Sequence, residues 1–173
     1  STKLREKVKP MQIDQTNAEL AVLGSMLLNE DAIDVAAATL GGSGAIFSVQ
    51  GNRYIYEALL SLRTAHSAAD MVTLTQKLIA DGTLEAAGGI VFIAGLTDAV
   101  PTSANVEHYA QIMIALDTQR KLIHAARRFL SVTEQHPCND VDLDTFKASV
   151  FSAFDGAVST DAVHVCAAMQ EVI

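Results

Sequence analysis

The chain has 173 residues, half of them hydrophobic with Ala prominent, no Trp, two cysteines and a net charge of −8. That size can bury a core without disulfides, and the small side chains favour closely packed helices over a sheet, so one all-α domain, with or without an appendage, is expected. The acidic balance excludes bulk attraction to a nucleic-acid backbone, no apolar run reaches the roughly 20 residues of a membrane span, and the sparse Cys138 and Cys166 fit a reducing, cytoplasmic setting.

In chain order, residues 1–10 read as a flexible basic arm, with Lys3, Arg5, Lys7 and Lys9 against Glu6, ended by Pro10. A first helix is predicted from residue 16 or 17 to 28. Thr16 and Glu19 have capping-box spacing, and Leu20, Leu23, Met26 and Leu27 form the buried face. Residues 30–40 read as a second helix stopped by "GGSG" at 41–44. A third, over 52–65, presents Ile55, Leu59 and Leu62 with Tyr56 beside them. Asp70 can cap a fourth helix that ends at Gly82, and "GGIVFIAGLTDAV" gives a short apolar fifth.

Beyond Pro101, with Ser103 or Asn105 as cap, no Gly or Pro interrupts the chain to about residue 134. Thirty residues of helix span about 45 Å, longer than a small bundle is wide, so part of it must project. Tyr109, Ile112, Met113, Leu116, Ile123, Ala126 and Leu130 carry an apolar stripe along it, and such a stripe needs another helix to cover it. "QHPCND" at 135–140 is a turn. Asp142 or Asp144 can cap a return helix with Leu143, Phe146, Val150, Phe154 and Val158 on its face. A lone hairpin covers only part of this surface, so self-association is expected. Residues 156–161 look like a break. Val165, Met169, Val172 and Ile173 then begin an amphipathic segment that stops in mid-pattern, as if cut from something longer.

Few residues suggest chemistry. Gly88-Gly89 opens an apolar run as some phosphate loops do, but no Lys-Ser or Lys-Thr follows and the segment before it reads as helix, so the pair is a turn. His136-Pro-Cys138 and His164-Val-Cys166 could in principle supply four zinc ligands, but the spacing matches no common finger. "DVDLD" at 140–144 lacks the turn Gly and closing Glu of a calcium loop, so helix capping explains it better. Ser, His and Asp scattered along helices make no triad. Arg120, Lys121, Arg127 and Arg128 form two basic pairs seven residues apart, which fits a solvated face as well as a contact surface. The residues give a binding or assembly module with no catalytic group, no cofactor and no metal.

Five stretches then fall in order: "NAELAVLGSMLL" at 17–28, "YIYEALLSL" at 54–62, "DMVTLTQKL" at 70–78, "GTLEAAGGIVFIAGL" at 82–96 and "VPTSANVEHYAQIM" at 100–113. Together they resemble the amino-terminal domain of the bacterial replicative DNA helicase, the DnaB family. Asn17, Leu20, Ser48 and Asn52 depart from the family's usual residues, which suggests a divergent member.

The resemblance implies a globular helical bundle over 11–104, a hairpin of long and return helices over 105–158, and over 159–173 the start of a linker helix to an ATPase domain. It implies a collar of three dimers in a hexamer, which docks the carboxyl-terminal domain of primase, with a helicase loader as a further partner. Single-stranded DNA would pass through the full ring, and ATP and Mg would serve the motor domain. By the same resemblance Phe92 is similar to a primase-contacting aromatic, although a core Phe would read alike. Ile123, Arg127 and Leu130 become candidates for dimer or primase contact. A free-standing helical adaptor that binds helicase or primase is the rival reading.

Overall fold

The computed structural model describes residues 15–135 and 139–154. The basic arm, both His-x-Cys pairs, Val158, and the predicted break and linker helix lie wholly or partly outside these residues. Seven α-helices and three short 3₁₀ turns make up the described fold, with no strand among the described residues. The helices are α1 (Gln15–Leu28), α2 (Asp31–Leu40), α3 (Gln50–Thr64), α4 (Met71–Ala80), α5 (Gly89–Gly95), α6 (Val106–Gln135) and α7 (Asp140–Phe154). The all-α expectation of a small bundle followed by an extended hairpin is met. No single helix among the described residues is long and apolar enough to cross a membrane.

Helix α1 is the hub, packed against α2, α3, the first half of α6 and the 3₁₀ turn Leu96–Ala99. It is buried on nearly all sides because small residues alternate with large ones. Ala18, Val22, Leu23 and Met26 are in the core, and Gly24 is so close to the turn that a Cβ there would stand 2.3 Å from the Leu96 carbonyl oxygen. Ile33, Ile55, Tyr56, Leu59, Leu74, Leu78, Ile93 and Met113 complete the core. The face predicted for the third helix is correct. Tyr56 is sealed in against Phe47, with ring centroids 4.9 Å apart, and burial pushes its hydroxyl up to about 12.

Several helix ends differ from expectation. Thr16 lies inside α1, so no capping box forms with Glu19. The Glu19 carboxylate is fully buried and turned toward α3, where it accepts from Ser48 N–H at 2.6 Å, Ser48 Oγ–H at 2.7 Å, Asn52 Nδ2–H at 2.8 Å and Val49 N–H at 3.4 Å. The cap residue of α3, Val49, has no side chain that can accept, and Glu19 ties down the chain entering that helix from outside. Asp70 caps α4 as expected, in a box with Thr73, and the backbone N–H of Thr73 holds its carboxyl below the ordinary carboxylate range.

Thr102, rather than Ser103 or Asn105, accepts the N–H of Ala104 at the 3₁₀ turn leading into α6. Asn139, rather than Asp142 or Asp144, caps α7. Its Oδ1 accepts from Asp142 N–H at 3.0 Å, while Asp142 Oδ2 accepts from Asn139 N–H at 3.2 Å, so Asp142 closes the box as its third helical residue.

The glycine pair is a turn, as read. Gly88 has φ +97° and Gly89 +74°, both left-handed, and a Cβ on Gly88 would meet the Phe92 ring at 2.8 Å. At the opposite edge, Arg63 near the end of α3 reaches the start of α2, donating to Asp34 at 2.6 Å and to Glu30 at 3.2 Å. The guanidinium holds the Asp34 carboxyl below its ordinary value.

Candidate functional site

Helix α6 belongs to two environments. Its first turns bury Val106, Ala110 and Met113 in the bundle. Asp117, 4% exposed, closes this half, and its carboxylate takes Arg120 on one oxygen and Lys121 Nζ at 2.8 Å on the other. Past Asp117 the helix leaves the core, and α7 packs back along it. Ala125 and Ala153 are the buried residues of this seam, and Phe129 stacks on Phe146 with centroids 4.7 Å apart.

The seam fixes the phase of both helices, and at about 100° per residue the other positions follow. On one side lie Ala126 and Leu130 of α6 with Leu143, Val150, Phe151 and Phe154 of α7, and Ile123 flanks them. Leu130 is 58% exposed, Phe151 59%, Ile123 45% and Leu143 40%, so this apolar side is open. On the other side Arg120, Lys121, His124 and Arg128 face Ser149 and Ser152 across an open groove of about 390 Å³ floored by Ala125 and Ala153.

The stripe read from the sequence is therefore divided. Its first members, Tyr109, Ile112 and Met113, pack in or against the bundle, whereas Ile123, Ala126 and Leu130 turn away from α7. The return helix uses Phe146 and Ala153 for the seam and leaves Leu143 exposed, contrary to the predicted face. The basic pairs also part, because Arg128 enters the groove while Arg127 stands on the outer surface between Ile123 and Leu130, one turn from each.

Of the four residues singled out in the sequence, Ile123, Arg127 and Leu130 thus share the outer face of α6. Phe92 is elsewhere, on α5. Its half-buried ring lies over Gly88 beside a shallow apolar depression lined by Leu20, Val91, Gly95, Leu96 and Ala99. It packs on the core and borders a surface where Val91 is 87% exposed. Phe151, the most exposed aromatic of the hairpin, was missed because the α7 pattern alone does not set its phase. No group of three His, Cys, Asp or Glu that could hold a metal occurs among the described residues.

Comparison with known proteins adds the family. A family model described as the DnaB-like helicase N terminal domain matches residues 11–114. The chain is 35% identical over 124 residues to the replicative DNA helicase DnaB of Treponema pallidum (strain Nichols), covering 72% of this chain and 27% of that protein. It is 36% identical over 121 residues to that of Geobacillus stearothermophilus, covering 70% and 26%. It thus spans about a quarter of the length of these curated relatives.

Among solved structures, the crystal structure of the N-terminal domain of DnaB helicase from Mycobacterium tuberculosis matches with TM-score 0.70 and 31% identity, over 79% of this chain and 96% of that one. A DnaB-like replicative helicase, solved in a study of its interactions with primase, matches with TM-score 0.59 over 91% of this chain and 35% of that one. At 16% identity this second likeness concerns the fold alone.

Proposed function

Because this chain belongs to the family of DnaB-like helicase N-terminal domains, we propose that it is the amino-terminal collar of a hexameric replicative DNA helicase. In this reading it pairs through its hairpin and docks primase, and the ATP- and Mg-dependent motor lies in a further domain. The observation that carries the reading is the uncovered apolar side of the hairpin, where Ile123, Leu130, Leu143 and Phe151 stand in solvent in a single copy. A second hairpin offers the same apolar side, and large aliphatic and aromatic anchors with Arg127 beside them are the form a stable contact takes. The docking half of the proposal is supported by the DnaB-like replicative helicase of the same fold, which interacts with primase.

Sedimentation of the 173-residue chain against concentration tests the pairing. Leu130→Asp is expected to weaken self-association at least about tenfold while leaving the melting temperature nearly unchanged, because the residue is exposed. A monomeric parent chain, or a variant that pairs as tightly as the parent, rejects the hairpin as the pairing surface.

Phe92→Ala tests docking separately. A titration with the carboxyl-terminal domain of primase is expected to show affinity lowered several-fold, with helical circular dichroism retained. Unchanged affinity assigns Phe92 to the core.

A further inference from the structure

The groove on the other side of the seam is not absorbed by this reading, and we infer that it is a contact site for the phosphate backbone of single-stranded nucleic acid. Four of the eight Lys and Arg among the described residues lie between positions 120 and 128, and no acid stands between Asp117 and Glu134. This is a local cationic field among described residues that are otherwise acidic. Arg120 and Lys121 share the one buried carboxylate of Asp117, which fixes their stems and leaves an excess of positive charge. Arg128 has no ion pair among the described residues and is free to meet an external anion. His124 lines the same wall, and Ser152 offers a hydroxyl from the facing helix. Asp142, toward the hairpin tip, limits the field at that end.

Two features favour a phosphodiester chain over an acidic protein. Protein contacts are held by exposed apolar or aromatic anchors, whereas this groove is lined by the methyls of Ala125 and Ala153 and, toward the tip, by Val132 and by Phe129 and Phe146, whose rings are stacked on each other in the seam; Ile123, Leu130, Leu143 and Phe151 face away. The groove is also open along the seam. Its cations extend over about 12 Å of helix, from residue 120 to 128, the length of two or three successive phosphates of an extended strand. The inference draws on the pairing reading only in that pairing through the apolar side leaves this side exposed.

The test is fluorescence anisotropy of a labelled oligothymidine with the 173-residue chain at low salt, followed by a salt titration. About three neutralised phosphates correspond to a slope of log affinity against log salt near −2. Arg128→Glu is expected to lower affinity about tenfold or more, whereas Arg53→Ala, which removes a cation from the exposed Arg53–Glu57 pair of the bundle, leaves it within twofold.

The assignment is overturned by no binding at low salt, or by equal loss in both variants. It is overturned also if binding survives Arg128→Glu, which places it on the basic residues 3–9, or if polyglutamate competes as well as the oligonucleotide, which makes the groove a site for acidic protein. Sedimentation and anisotropy are separate readouts, so failure of the groove is distinguishable from failure of pairing.

Discussion

The bundle and the hairpin share one uninterrupted helix, α6, and are opposite in what they leave unsatisfied. In the bundle, α1 is enclosed on nearly all sides, and even its carboxylate, Glu19, is enclosed with hydrogen-bond donors around it. In the hairpin two helices share a thin seam, with Ala125 and Ala153 buried and an open apolar side and an open cationic side flanking them. A self-sufficient core and two one-sided surfaces thus coexist along α6, and the boundary between them is Asp117.

The contrast can be broken or sharpened by substitution. The largest effect is expected at Glu19→Ala, which leaves the N–H of Ser48 and the amide of Asn52 without their buried acceptor. A loss of about 3 kcal/mol is predicted by chemical denaturation, spread over the whole bundle. A loss below about 1 kcal/mol would mean that the bundle tolerates polar defects as the hairpin does.

A smaller loss of about 1–2 kcal/mol is expected for Phe129→Ala, which removes half of a partly exposed aromatic stack. Hydrogen exchange should confine that loss to α7 and the distal half of α6, with bundle amides unchanged. Protection lost throughout would show the two regions to be one cooperative unit.

The smallest effect is expected at Asp70→Ala, and it should depend on pH. The folded carboxyl titrates below its ordinary value, so its stabilisation is complete above the unfolded value and disappears as pH falls through the lowered folded one. Melting temperatures of parent and variant should therefore differ at neutral pH and converge in strong acid. A gap that persists there assigns the contribution to Thr73 packing instead.

The bundle was the more legible region, for a physical reason. Where a helix is buried on one face against large residues, as at Ile55, Leu59 and Leu62, its period states the answer. Asp70 was legible because a cap is a local event. Glu19 was not, since its partners lie 29 to 33 residues away and it had a plausible local use with Thr16.

The hairpin was legible in length and antiparallel return but not in phase. Its stripe on α6 is wide enough to accept a neighbour at several angles, and small residues such as Ala125 and Ala153 decide which one. The motif resemblance identified the family from residues of the bundle and the entry to α6, and the matched span of the family model ends at residue 114, just before the helix leaves the core.

The absence of any Gly or Pro in α6 has a mechanical consequence. With no hinge built into it, the helix is a lever clamped at Asp117, and its free arm is about 27 Å long. Tilting the bundle by about 10° would swing the far end of that arm by about 5 Å, comparable to one helical turn. Small rotations of the clamped end would thereby become register-sized displacements at the tip.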